Sequence, residues 1–253
     1  MLIEKIENQI IIATFQDGKT NPLDLETLRS LQKVVQKANE DESIKGIILT
    51  GAGRSFSSGF NLPMFLGFKN LEEVVAFFAE EEKILTELFT CKKPVVSAIN
   101  GHAVAGGLII SMASDYRIIK NHPKIKVGMS EIKIGLGLSI AQTEIMRFGL
   151  DSDKKFRDVL YFSKMYGVEE AKQLELVDEI AEEDQLMDRA KQVICQWIDN
   201  PGRAFIPLKY SLKNPTAKRI KDYLANEDWQ TPLKCFFDPA TRKTLEAVQA
   251  MMG

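Results

Sequence analysis

Residues 93–107, KPVVSAINGHAVAGG, hold the reading that decides the fold. Val95, Val96, Ala98 and Ile99 form a short, mostly apolar run that Asn100-Gly101 closes, which predicts a strand. Gly106-Gly107 then opens a stretch of small residues that predicts a helix. Moving outward, residues 45–50 (KGIILT) and 9–15 (QIIIATF) are β-branched and read as further strands. Between them, residues 23–39 place Leu25, Leu28, Leu31, Val34 and Val35 at helical spacing, and residues 71–90 do the same with Val74, Phe78, Ile84, Leu85 and Leu88. Downstream, strands are predicted near 115–119, 125–127 and 177–180, and helices over 140–148, 168–174 and 182–198. Strands alternating with helices define an α/β fold. After Asn200-Pro201-Gly202 no convincing strand follows, and three helical segments are predicted, near 204–212, 217–226 and 239–252. That shift sets a core at 1–200 and a helical C-terminal region at 201–253.

Composition narrows the function. The chain has 253 residues, 45% hydrophobic and 27% charged, with 33 basic against 35 acidic residues and a net charge of −2. This is globular and gives no global electrostatic pull toward nucleic acid. No apolar run approaches the ~20 residues that cross a bilayer. The opening MLIEKIENQI has no apolar leader core, so no secretory signal is expected. Cys91, Cys195 and Cys235 are too far apart for a zinc or disulfide pattern, which points to a reducing cytoplasm. Only His102 and His122 occur, so metal and histidine chemistry are poorly supplied.

Three glycine or serine patterns fail as motifs. Gly51-Ala52-Gly53 has Phe56 where a dinucleotide fingerprint needs its third glycine. Gly18-Lys19-Thr20 has Ala13 at the first glycine of a phosphate loop. Ser57-Ser58-Gly59 lacks the spacing of a hydrolase elbow.

Three segments remain: residues 54–62 (RSFSSGFNL), 93–107, and 127–137 (VGMSEIKIGLG). In this order and spacing they resemble the crotonase, or enoyl-CoA hydratase/isomerase, superfamily over about residues 5–200. The resemblance implies a spiral of ββα units with a helical C-terminal region that supports a homotrimer or homohexamer. It also implies acyl-CoA thioester substrates, with coenzyme A as part of the substrate and no metal or other cofactor. Matching the motifs places two oxyanion-binding backbone N–H groups at Ser58 and Gly106, pocket lining at Gly107, Leu108 and Ile109, and the acid/base at Glu131. Each residue also has a plainer reading: Gly106-Gly107 as a packing pair, and Glu131 as a solvated charge.

The chemistry stands without the family. Taking a proton from beside a thioester carbonyl puts charge on its oxygen, which fixed N–H donors stabilise. Hydratases of the family carry a second glutamate three positions after the oxyanion glycine, where this chain has Ile109. One carboxylate suffices to move a double bond, so the resemblance is strongest to the Δ3,Δ2-enoyl-CoA isomerase branch. The alternatives are a decarboxylase or C–C bond enzyme working through a thioester enolate, a hydratase, or a non-catalytic acyl-CoA or RNA-binding relative. Glu144 is a possible second acid. Asp115 and Asn61 are expected to be structural, and Lys209 and Lys213 to lie on a solvated helix face.

Overall fold

The computed structural model describes residues 1–252; Gly253, the end of the expected C-terminal region, lies outside them. The chain opens with β1 (Leu2–Glu7), β2 (Ile10–Phe15) and α1 (Leu25–Glu40). β3 (Gly46–Gly51), β4 (Ser55–Ser57), α2 (Leu62–Gly67) and α3 (Leu71–Phe89) follow. Next come β5 (Val95–Ile99), β6 (His102–Val104), α4 (Gly106–Ala113), β7 (Tyr116–Lys120) and β8 (Val127–Gly128). The second half holds α5 (Ile140–Phe148), α6 (Asp153–Tyr161), β9 (Met165–Tyr166), α7 (Val168–Gln173), β10 (Glu179–Ala181) and α8 (Leu186–Ile198). α9 (Phe205–Asn226) and α10 (Pro239–Met252) close the chain.

Two sheets result. The larger runs β1-β2-β3-β5-β7-β10, parallel except for the β1–β2 hairpin. Its inner strands β2, β3, β5 and β7 are buried on both faces, which explains their apolar runs. In β2, Ile11, Ala13 and Phe15 enter the main core while Ile10 and Ile12 pack toward Val193 and Ile194 of α8. The smaller sheet runs β4-β6-β8-β9, and its first three strands are parallel. Strand, turn, short strand and helix therefore repeat around two sheets, the ββα spiral.

The sequence missed the hairpin partner β1 and the short strands β4, β6 and β9, which are too brief to carry a period. Expected strands at 125–127 and 177–180 are found shifted, at Val127–Gly128 and Glu179–Ala181. The two helices expected near 204–226 are one helix that continues through Pro215.

Lys209 and Lys213 correct a second expectation. Both are buried, and each binds the carboxylate of Asp115, a side chain only 7% exposed, at 2.5 and 2.8 Å. Asp115 also accepts the Val95 N–H, and Lys213 donates to the Ala113 carbonyl at the end of α4. Burial alone would raise the Asp115 pKa, but the two ammonium groups hold it below its ordinary value. Desolvation pushes Lys213 down to about 8. Asp115→Asn would strand two buried cations, so a loss of about 3–5 kcal/mol is expected. Chemical denaturation checks this; an unchanged midpoint would show that the triad contributes nothing.

Candidate active site

The three sequence motifs meet because their strands are neighbours. β4, β6 and β8 lie side by side and parallel, with Ser57 opposite Ala103 and Val104 opposite Gly128. The motif residues follow the C-terminal ends of these strands: Ser58-Gly59-Phe60 after β4, Ala105-Gly106 after β6, and Met129-Ser130-Glu131 after β8. Ligands of α/β sheets commonly gather at such an edge.

The backbone of the first motif corrects the expectation at Ser58. Its N–H donates to the Thr20 carbonyl at 2.9 Å, so it is already paired. Gly59 N–H turns back to Ser57 Oγ at 3.1 Å. Leu23 then brackets the next residue, donating to Gly59 O and accepting from Asn61 N–H, both at 2.8 Å. In such a parallel bridge the middle residue points its own N–H the other way. Phe60 N–H donates to nothing among the described residues. Phe60, not Ser58, therefore offers the unpaired donor of this turn.

Gly106 supplies the second. It is the first residue of α4, where an N–H has no acceptor within the helix and sees the positive end of the dipole. Ala105 before it is held at φ 53° and ψ −126°, a strained conformation for a residue with a side chain. Gly59 makes the close approach possible. Its φ is +93°, and a Cβ there would sit 2.8 Å from Ala105 Cβ and 3.0 Å from Gly106 N. The Phe60 ring lies against Gly106 itself. Gly107 has the plainer role. A Cβ on it would come 2.4 Å from the Ser57 carbonyl, so this glycine packs α4 onto β4 rather than lining a pocket. Leu108 and Ile109 are buried in α4. Ile109 lies three residues from Gly106, on the same helix face.

Glu131 begins a 3-10 turn, Glu131–Ile134, closed by Gly135 in the left-handed region. The turn is held on both sides: Leu136 N–H reaches Glu131 O at 3.0 Å, and Lys133 Nζ reaches Ser163 O at 2.6 Å. Burial raises the Glu131 pKa above its ordinary value, while its own N–H and that of Ser130, 2.8 Å from Oε2, pull partly against that rise. Glu144 is drawn elsewhere: its carboxylate accepts from Arg219 Nε at 2.9 Å.

An aromatic cluster covers the first motif. Phe65 packs edge-on to Phe77 and to Phe236, with ring centroids 5.8 and 5.0 Å apart, and Phe60 meets Phe77 at 5.7 Å. Asn61 caps α2, accepting from Met64 N–H. Arg242 of α10 donates to Leu66 O at 2.8 Å, so the C-terminal helix is tied to α2.

A chain wound as a ββα spiral, with two free N–H groups and a raised glutamate at one sheet edge, has the architecture of a crotonase-type enzyme. Comparison with known proteins agrees. The enoyl-CoA hydratase/isomerase family matches residues 5–250, and the chain belongs to that family. It is 26% identical over 212 residues to mouse mitochondrial enoyl-CoA delta isomerase 1, covering 83% of this chain and 73% of that one. It is 25% identical to crotonyl-CoA hydratase of Syntrophomonas wolfei, covering 92% and 84%. The crystal structure of human mitochondrial Δ3-Δ2-enoyl-CoA isomerase superposes with a TM-score of 0.90 at 24% identity, over 99% of this chain and 97% of that one. No helix among the described residues is long and apolar enough to cross a membrane.

Proposed function

We propose that this enzyme shifts the double bond of a 3-enoyl-CoA into conjugation, giving the 2-enoyl-CoA. The carrying observation is one raised carboxylate, Glu131, on the same sheet edge as the two free N–H groups, with aliphatic Ile109 three residues beyond Gly106. Glu131 takes a proton from C2, and the thioester oxygen gains charge that the Phe60 and Gly106 N–H groups stabilise. The same carboxyl returns the proton to C4, so no atom is gained or lost. A branched aliphatic side chain cannot hold or activate water, and it favours keeping water from the dienolate. Its relatives include proteins named as isomerases and as hydratases, and Ile109 favours the first. The three free cysteines suit a reducing compartment such as the cytoplasm.

An assay panel of 3-enoyl-, 2-enoyl- and malonyl-type CoA thioesters tests the reading. Isomerisation is expected, with poor hydration of 2-enoyl-CoA. Ile109→Glu places a second carboxylate on this helix face, so a small gain in hydration and a loss of isomerisation are expected, with some loss of stability from the buried charge. Efficient hydration by the wild type would overturn the proposal.

We also propose a homotrimer or homohexamer built partly on the C-terminal region. Phe236 is buried in its own chain's core, and Trp229, Leu233 and Phe237 pack against that core while staying partly exposed. Leu208 and Leu212 of α9 are 68% and 65% exposed on one helix face, and Tyr161 and Phe162 are similarly open. Such apolar exposure suits subunit contact. Light scattering is expected to give a mass above the 28.5 kDa of one chain; a monomer at micromolar concentration would refute this.

A further inference from the structure

α3 carries two consecutive glutamates, Glu81 and Glu82, that are almost wholly buried. Both reach the start of α5. Glu82 accepts the N–H groups of Ile140 and Ala141, each at 2.7 Å. Glu81 Oε1 accepts from Gln142 Nε2 at 2.8 Å, and its Oε2 lies 3.2 Å from Ser139 Oγ. No lysine or arginine lies within ion-pair distance of either carboxyl among the described residues.

Counting protons decides the arrangement. Ser139 Oγ carries one proton and already accepts the Gln142 N–H. Two adjacent buried carboxyls with no cation beside them cannot both be charged without a large cost, so the pair holds one proton between them. Two N–H groups at a helix start favour the charge on Glu82. Glu81 is then the protonated partner, facing Ser139 Oγ and the Gln142 side-chain amide.

α5 is well placed to pass this on. It follows the Glu131 turn through Gly135 and Gly137, and it packs against α4, whose first residue is Gly106. We infer that the buried Glu81–Glu82 pair is a positioning device that seats α5, and through it Glu131 relative to the Gly106 N–H, only while it holds its single proton. This inference rests on the proposed roles of Glu131 and Gly106.

Burial, and then the Glu82 charge, push Glu81 up to about 8. Because the folded state favours the protonated form, this stabilisation is complete below the ordinary glutamate range and is lost as pH rises through about 8. Other charges surround the pair. Glu82 borders a cavity of about 910 Å³ that Lys83 and Glu87 face from α3, and Lys209, Lys213, Lys218 and Lys221 from α9. One turn further along α5, Glu144 holds Arg219 and nears Arg147. On the outer side of α3, Glu80 pairs with Arg29 of α1. Of these, Lys213 titrates in the same range, so the test must separate it from Glu81.

Isomerase kcat against pH, and thermal midpoint against pH, are measured for the wild type, Glu81→Gln, Ser139→Ala and Lys213→Met. The wild type is expected to lose kcat with an alkaline midpoint near 8, by about tenfold per pH unit beyond it. Glutamine at 81 keeps a donor to Ser139 and an acceptor for Gln142 without titrating. Its profile, scaled to its own maximum, should move up by at least about one pH unit with KM changed less than about twofold. Lys213→Met should leave the limb in place. Should Glu81→Gln not fold, Ser139→Ala carries the test, lowering neutral kcat severalfold with little change in KM. The thermal midpoint of the wild type should fall between pH 7 and 9 and that of Glu81→Gln should not, a readout that needs no turnover. If the chain proves not to be an isomerase, the thermal result still stands by itself. An alkaline limb and thermal profile unchanged in Glu81→Gln, or a limb that moves with Lys213→Met instead, would overturn the inference.

Discussion

Replacing Glu131 with Gln should reduce turnover by roughly 10²–10⁴-fold, the usual contribution of a positioned acid/base. Glutamine keeps the shape and can still accept the Ser130 N–H, but it cannot take a proton from C2. Thermal stability should not fall. Burial raises the Glu131 pKa, so the ionised side chain is unfavourable in the folded state at neutral pH, and a neutral amide removes that cost. The same shift sets a pH dependence. The base works only when ionised, so kcat/KM should fall as pH drops through a value above the ordinary glutamate range. A mutant within a few-fold of the wild type would remove Glu131 from the mechanism. An acidic limb at an ordinary carboxylate pKa would show that the burial does not survive in solution.

The second large effect is expected at Gly59. Alanine there would be forced to φ +93° and would drive its Cβ to within 2.8 Å of Ala105 Cβ and 3.0 Å of Gly106 N. The turn must open to relieve this, which moves Phe60 N–H and Gly106 N–H out of register. Losing one oxyanion donor commonly costs about 10²–10³ in kcat, and both are affected here. Some stability is lost as well, about 1–2 kcal/mol for the left-handed backbone alone. Kinetics and circular dichroism on the same sample separate the two effects. Gly106→Val offers an independent check, because its Cβ would meet the Phe60 ring at 3.2 Å without a forced φ. If both variants keep catalytic efficiency within about threefold, the oxyanion site is not where these two N–H groups lie.

The misassigned donor shows where sequence reading stops. In SSGF the neighbouring N–H groups look alike, and the motif match selected Ser58. What pairs them lies far off in sequence: Thr20 takes the Ser58 N–H, while Leu23 leaves that of Phe60 free. Lys209 and Lys213 teach the same lesson. Their spacing on a basic stretch reads as a solvated face, but Asp115, 94 and 98 residues earlier, draws both inside. Glu81 and Glu82 interrupt an otherwise apolar stripe and would be read as exposed, until α5 places its N-terminus over them.

The sequence by itself determined the α/β class, the order of three motifs on strand ends, the change to helices after Pro201, and the glutamate and glycine that anchor the candidate site. These depend on periodicity, β-branching and glycine conformation, which act within a few residues. Tertiary structure alone decided which N–H groups stay free, which charges are buried, that α9 runs unbroken through Pro215, and that three short strands lie side by side. Each of those outcomes depends on a hydrogen-bond or ionic partner supplied from elsewhere in the chain, and no local pattern records who that partner is.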